Sequence, residues 1–533
     1  MKTRLSCLIL LLLIILSLFW NLGNYPLTLE EPRRAFVALE MIYSGNYIVP
    51  TLMGELYHAK PPLYEWVLAG LFQATGSTSE WLVRLPSVIS LLLLAGLSFL
   101  LARKFLDRET AFFSSLFILT GGGFYYYFSL LGEIDLFFSL IAWLGMVSIF
   151  YLETKDKPAF QLYLASYLIA AIGFMTKGFP ALAFQWITLA GWLGYRRKWK
   201  LLFSPWHLMG AGLFLMIVGS YFYAYHQQES VSRYLAFLWS ESSSRTLLGG
   251  NPLLRLLGHL IRFPLETLAE LMPWSLLLVF VSRKKIKASL QENPLVAFCL
   301  ITFCLNYLLY WLSPGAKQRY IYALYPLILI PLSYWAVKSE PESSPTQLFR
   351  KITLVLLTVF LLASVAAPLA RVHKYLIFFP PYAMTVMVGL WIGFLILIKG
   401  LLVKKQNPLI ILVIALMLVR LGMDVFYIPV KANTGRAAAA FKTAAAIQAL
   451  SKDKPLQAWG SGYIPYGVVF YLEKERKEIL TRSRDLKPGV LYLANGTEIP
   501  PNTLVPRYQT QIKNETLLLL EKPDKPLQIQ SVK

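Results

Sequence analysis

Two carboxylates, Glu133 and Asp135, stand at the mouth of an otherwise apolar run, SLLGEIDLFFSLIAWL. Acids at membrane depth are costly, and those that persist usually face an internal cavity and mark a functional site. Asp135 is therefore a candidate catalytic residue. The stretch SPGAKQRYIYALYP places Lys317, Arg319, Tyr320 and Tyr322 on one turn that runs into a helix. Ammonium, guanidinium and phenol donors together suit a phosphate, since arginine can hold two oxygens at once. The plainer reading of that turn is an aromatic belt with anchoring cations. Nearer the N-terminus, PLTLEEPRRAFVALEMIYSGNYIVP carries Glu30, Glu31, Arg33 and Arg34 within five residues, more charge than capping a helix requires. Thr28 and Glu31 have capping-box spacing and Gly45 follows the last turn, so a short interfacial helix is expected there. In ELYHAKPPLYEW, Lys60 precedes two prolines that stiffen the backbone and fix where the ammonium points. Arg84 in WLVRLPS and Lys177 in MTKGFPAL are further cations at helix ends, where snorkelling to the interface competes with a binding role.

These groups need a scaffold, and composition names it. The chain has 533 residues, 56% of them hydrophobic and only 15% charged. That is too apolar for an ordinary soluble protein and predicts one that lives in a bilayer. The net charge of +22 comes in short Lys/Arg clusters between apolar stretches, the pattern of a positive-inside topology rather than of nucleic-acid binding. Cys7, Cys299 and Cys304 all fall in apolar runs, so neither a disulfide framework nor a zinc site is indicated.

Apolar stretches near the ~20 residues needed to span hydrocarbon recur from about residue 5 to about residue 426, giving about thirteen spans. The first, Leu5 to Leu22, follows Lys2 and Arg4 without a small-residue cleavage site and reads as a retained helix whose N-terminus is inside. Counting from there puts Arg103 and Lys104, Arg196 to Lys200, Arg283 to Lys287, and Lys404 with Lys405 inside. The loops 23–80 and 226–262, the Glu133–Asp135 turn and the Gly315–Arg319 turn fall outside. From about Lys431 the apolar runs shorten to strand length, as in GVVFYLEK, GVLYLANG and TLLLLEKP, so 431–533 reads as a soluble extracytoplasmic α/β domain after a membrane domain over 1–430. NGT at Asn495 and NET at Asn514 match the glycosylation pattern, which arises easily by chance.

Taken in order, these stretches resemble the bacterial glycosyltransferases that include the aminoarabinose transferase of lipid A modification, and more distantly the protein O-mannosyltransferases. The resemblance covers roughly the first 340 residues. An acid-Glu-x-Arg run fits Glu30, Glu31 and Arg33, and a Lys-Pro-Pro-Leu run fits Lys60 to Leu63. An Asp-(Met/Leu) pair fits Asp135, a Lys-Gly-Pro-like step fits Lys177 to Pro180, and a turn carrying Lys, Arg and Tyr fits Lys317 to Tyr320. LMPWSLLL around Pro273 and Trp274 matches as well. The resemblance implies a GT-C fold: a polytopic α-helical membrane protein of about thirteen spans, followed here by the C-terminal domain. Two departures bear on metal binding. The family's Glu before Lys-Pro-Pro is Ala59, and its Glu-His pair is Glu241 followed by Ser242. In the aminoarabinose transferase that glutamate and histidine help hold a divalent metal, and serine hydroxyls are poor substitutes. No tightly bound metal and no other cofactor is expected, with Arg245 or nearby lysines supplying positive charge instead.

The resemblance further implies transfer of a sugar from a polyprenyl-phosphate donor to a lipid A, glycan or protein acceptor, by one inverting displacement. Such a reaction needs a cationic site for the departing phosphate and a carboxylate for the acceptor's proton. Glu30 is the expected base, with Asp135 assisting or substituting. Arg33, Lys60, Arg84, Lys177, Lys317, Arg319 and Tyr320 are candidates for the donor phosphate, and Glu31, Glu241 and Arg245 for other substrate contacts. A monomer in the inner membrane is expected, its site on the extracytoplasmic face. A transporter or flippase of a lipid-linked sugar is the alternative, but it predicts inverted repeats that the two halves do not show.

Overall fold

The computed structural model describes residues 2–243, 252–366, 375–498 and 504–522. Its chain divides into two compact units. One holds Met1–Leu22, Ala59–Leu63 and Arg84–Pro429; the other holds Gly23–His58, Tyr64–Val83 and Val430–Lys533.

The first unit is helical. Among the described residues nine helices are long and apolar enough to cross a bilayer, beginning with Glu80–Phe105, Ile134–Thr154 and Ala159–Lys177 and ending with Pro408–Asn433. Leu254–Glu270 and Trp274–Phe280 meet at 101° and make at most one more, so length and composition give up to ten spans among the described residues, against the thirteen expected over the whole chain. The difference has local causes. The helix Arg108–Leu119 stops before Gly121, and the continuation is a five-residue helix, Gly122–Tyr126, and a 3-10 turn, Phe128–Leu130. Pro180–Tyr195 has 16 residues, which at ~1.5 Å per residue falls short of the hydrocarbon thickness of ~30 Å. The apolar core of this unit runs through Val88, Phe117, Trp143, Trp192, Trp274 and Ile330.

Within the helix Ile134–Thr154, Asp135 lies in the first turn and Glu153 in the last. The two are ~27 Å apart along the axis, so the helix ends in two separate polar clusters about one bilayer core apart. At the far end Glu153 accepts from Trp192 Nε1 at 2.9 Å and pairs with Lys198 Nζ at 2.7 Å. The next helix, Ala159–Lys177, returns antiparallel and brings Lys177 back to the Asp135 end.

The second unit joins the first loop to the C-terminal region. The short helix expected here is Glu31–Ser44, largely buried, with Pro32 in the first turn and Gly45 left-handed at φ 69° beyond the last. Glu30 rather than Thr28 takes the N-cap position, and Thr28 N donates to Glu31 Oε2 at 2.8 Å from outside the helix. A hairpin pairs β1 (Thr51–Leu52) with β2 (Glu55–Leu56). The C-terminal sheet has β3 (Leu456–Trp459), β4 (Arg482–Ser483), β5 (Leu491–Asn495), β6 (Val505–Ile512) and β7 (Glu515–Glu521), ordered β4-β3-β5-β7-β6. β3 pairs parallel with β4 and β5, while β7 runs antiparallel between β5 and β6. GVLYLANG and TLLLLEKP are strands, but GVVFYLEK is a helix, Tyr466–Arg476. The run follows Pro465, which takes the N-cap position, and an eight-residue apolar run does not by period alone tell strand from buried helix. Asn495 is 4% exposed, and its amide donates to Tyr463 O and to Glu515, so its glycosylation motif is structural.

Candidate functional site

Four sequence-predicted residues of the membrane unit converge. Lys177 Nζ lies 2.6 Å from Asp135 Oδ1, and both side chains are almost fully buried. Arg319 Nη1 lies 2.9 Å from Glu133 Oε2 and 3.9 Å from Asp135 Oδ2. Tyr320, next in sequence, faces both cations: Lys177 lies 5.3 Å and Arg319 5.9 Å from the ring centroid. Backbone geometry makes this possible. Gly178 at φ 81° ends the Ala159–Lys177 helix immediately after the lysine, and the 3-10 segment Gln318–Leu324 carries Arg319 and Tyr320 to the start of Tyr325–Val337.

Lys60 completes the group. It lines one pocket with Lys177, Tyr320, Ser313 and an apolar wall that includes Phe179, Pro180 and Leu309. The cavity measures about 190 Å³, the scale of a head group rather than of a whole prenyl lipid. Tyr234 OH donates to the Lys60 carbonyl at 2.8 Å, fixing the backbone that the following prolines stiffen. Lys177 and Arg319 are matched by Asp135 and Glu133, and Lys60 adds a further cation to the pocket that Lys177 lines. It can hold an anion against an apolar wall.

Other predicted residues are not among those lining this pocket. Arg84 has no exposed surface and donates to the Leu22 carbonyl at 2.8 Å, a contact that ties the helix Glu80–Phe105 to the first segment. Lys317 is exposed at the N-cap of the 3-10 segment, and Glu241 sits near the end of the helix Val231–Ser243. Arg245 lies outside the described residues. In the second unit Glu30 pairs with Arg33, and Glu31 is fully buried and accepts from Thr28 N. Arg34 is the structural member of its charge run. It is buried against Glu65 at 2.6 Å and Tyr57 at 3.0 Å. Burial alone would lower its pKa, but Tyr57 and Glu65 outweigh that and hold it above its ordinary value.

Three arrangements escaped the sequence reading. Tyr322 OH is 2.9 Å from Glu270 Oε2, so a carboxylate at the bend of the broken helix backs the segment that bears Arg319. Gln318 Nε2 donates to Phe263 O at 2.8 Å, and Thr267 Oγ1 donates to Gln318 Oε1 at 2.9 Å, anchoring the same segment. In the last span Arg420 and Asp424, 1% and 2% exposed, form a buried pair at 3.5 Å, and Arg420 also donates to Ser129 Oγ at 3.1 Å. The signal was present: an arginine and an aspartate at i,i+4 inside LMLVRLGMDVF mark an intramembrane ion pair. Among the described residues no three His, Cys, Asp or Glu side chains gather as a metal site.

The fold matches the crystal structure of ArnT from Cupriavidus metallidurans bound to undecaprenyl phosphate, with a TM-score of 0.73 at 18% identity over 96% of this chain and 98% of that one. The chain has the GT-C fold and resembles the lipid A aminoarabinose transferases. The dolichyl-phosphate-mannose-protein mannosyltransferase family matches residues 59–223, which include Lys60, Asp135 and Lys177. The undecaprenyl phosphate-alpha-4-amino-4-deoxy-L-arabinose arabinosyl transferase of Pseudomonas savastanoi pv. phaseolicola is 31% identical over 340 residues, 60% of each chain. That of Pseudomonas aeruginosa is 27% identical over 331 residues, 60% of this chain and 58% of the relative. The matched region thus spans about three-fifths of these relatives' length.

Proposed function

We propose that the chain is a membrane glycosyltransferase of the inner membrane that moves a sugar from a polyprenyl phosphate to an envelope acceptor on the extracytoplasmic side. The observation that carries this reading is the single pocket lined by Lys60, Lys177 and Tyr320 beside an apolar wall. Phosphate and prenyl chain require that pairing of cations with hydrocarbon surface. In the proposed step the acceptor oxygen attacks the anomeric carbon while its proton passes to a carboxylate. The bond from that carbon to the phosphate oxygen breaks, its electron pair stays with the phosphate, and polyprenyl phosphate leaves.

Glu30 is assigned as the base. Its side chain is 38% exposed and, among the described residues, pairs with Arg33, whereas Asp135 is committed to Lys177. Asp135 then acts by orienting Lys177, which with Lys60 binds the phosphate. Arg319 is poised to exchange Glu133 for a phosphate oxygen. The relatives' divalent metal finds no matching donor set at Ala59 and Ser242, so charge stabilisation is assigned to these cations.

Purified protein given a polyprenyl-phosphate sugar and envelope glycolipids should release polyprenyl phosphate and form a glycosylated acceptor. Glu30→Gln should abolish transfer while leaving donor binding intact. Translocation of the donor across vesicles without any acceptor product would instead establish a transporter.

A further inference from the structure

The end of the membrane unit remote from Asp135 has no part in the proposed reaction, yet its two turns carry charge where glycine is the usual choice. The helix Ile134–Thr154 closes with Asp156 N donating to Glu153 O at 3.1 Å and Lys157 N to Leu152 O at 2.9 Å. The helix Pro180–Tyr195 closes with the same pair of bonds, Arg197 N to Gly194 O at 3.0 Å and Lys198 N to Leu193 O at 2.9 Å. In this Schellman ending the residue beyond the cap is left-handed and is normally glycine, because a Cβ there crowds the following carbonyl. Here the left-handed residues are Asp156 at φ 47° and Arg197 at φ 56°.

Asp156 has an internal reason to be there, since its Oδ1 lies 3.2 Å from Lys198 Nζ. Glu153, its side chain fully buried, holds Lys198 at 2.7 Å and Arg196 at 3.3 Å and so joins the two turns. Arg197 differs. It is exposed, as is Lys200, and among the described residues neither has a side-chain hydrogen bond or ion pair. A charged side chain kept at a strained position without such a partner points to a partner outside the chain.

The surface beside it is aromatic. Trp199 is 53% exposed, Phe203 78% and Trp206 43%. Tyr163 OH donates to Leu201 O, and Tyr195 OH donates to Leu290 O at 2.9 Å, so the segment is held in place. The candidate span that begins here, Trp199–His226, has 28 residues. At ~1.5 Å per residue that is about 42 Å, against ~30 Å of hydrocarbon, which is long enough to carry its first turn into the headgroup layer.

We propose that Arg197 and Lys200, with Trp199 and Phe203, seat one anionic phospholipid, the cations taking its headgroup phosphate and the rings the upper part of an acyl chain. The surroundings choose the occupant: Phe203 at that depth meets hydrocarbon, and the guanidinium and ammonium beside it complement a phosphodiester. The seat is independent of sugar transfer and is tested without it.

Native mass spectrometry of the full-length protein, given phosphatidylglycerol and phosphatidylcholine in turn, measures the preference for the anionic lipid. Arg197→Gly is the decisive variant, because glycine suits the left-handed backbone and Tm should hold or rise. The preference should fall about fivefold, the share of one cation near an anionic surface, and Lys200→Gln should do the same. Trp199→Ala should weaken both lipids alike. Lys404→Gln, which removes an exposed cation elsewhere in the unit, should leave the preference unchanged. An unaltered preference in Arg197→Gly overturns the proposal. So does an equal fall in Lys404→Gln, the mark of diffuse surface attraction, and so does full competition by inorganic phosphate, the mark of a free-anion site. A preference that falls in Arg197→Gly only together with Tm would make the arginine structural and would overturn the seat as well.

Discussion

The Lys177 ammonium sits 2.6 Å from Asp135 Oδ1 in the membrane unit, with 6% and 3% of the two side chains exposed. Breaking a buried pair from one side leaves a bare charge, which costs about 3–5 kcal/mol, whereas removing both charges can be neutral. Asp135→Ala should therefore lower Tm sharply, and Asp135→Asn with Lys177→Met should restore it. Transfer should stay lost in the double variant, because the phosphate has lost a cation. Thermal unfolding and activity measured side by side separate the two effects, and activity recovering with Tm would refute the binding role of Lys177.

Lys60 lines the pocket from a bend ahead of two prolines rather than from a helix, and its backbone is held by Tyr234. Lys60→Ala should weaken undecaprenyl phosphate binding by about 10- to 100-fold, as expected for one charge-assisted contact, with little change in Tm. Lys60→Arg should retain charge but misplace it, since a planar fork does not substitute for a point charge in a shaped pocket. Isothermal titration with undecaprenyl phosphate measures both.

The sequence made the pocket legible where charge and hydrophobicity conflict. Asp135 and Lys177 each interrupt an apolar run, and that cost is visible without coordinates. Arg84 interrupts one too, and there the same cue points to a helix tie to Leu22. A charge in hydrocarbon announces that it has a partner, not whether the partner is substrate or backbone. Arg420 and Asp424 were legible as an i,i+4 pair, but the reach of Arg420 to Tyr125 and Ser129 on another element was not. The helical state of GVVFYLEK was illegible for another reason: packing against the helix Gly435–Ser451, rather than pattern, sets it.

The Gly121–Gly123 run that shortens one expected span distinguishes two substitutions. A Cβ on Gly122 would lie 2.6 Å from the Met272 carbonyl, which is backbone, and Gly122 N already donates to that oxygen at 2.9 Å. A Cβ on Gly123 would meet the Glu270 carboxylate, the far end of a flexible side chain that can swing away. Gly122→Ala should thus destabilise by about 1–3 kcal/mol, the usual cost of overpacking, and Gly123→Ala by less. Because Glu270 then leaves Tyr322, Gly123→Ala should reduce transfer more than it reduces Tm. The opposite ranking in unfolding experiments would refute this account of the Gly121–Gly123 run.

A second acid pair, in the other unit, makes stability depend on pH. Glu40 accepts from Thr51 Oγ1 and from the backbone of Met53 and Gly54, while Glu473 accepts from Leu480 N at 3.0 Å. Both carboxyls are fully buried. Burial, and then the neighbouring Glu40 charge, push Glu473 well above its ordinary 4.5, and burial raises Glu40 as well. A carboxyl raised in the folded state binds its proton more tightly there than in the unfolded chain. Its contribution is complete below the ordinary value of 4.5 and is lost as pH climbs through the folded value. Tm of the wild type should fall as pH rises from 4.5 through the folded value and level off beyond it. Glu473→Gln, which keeps the hydrogen bonds of the protonated acid without its titration, should flatten the curve and be the more stable protein at the alkaline end. Parallel Tm curves for the two proteins would show that the pair carries no such linkage.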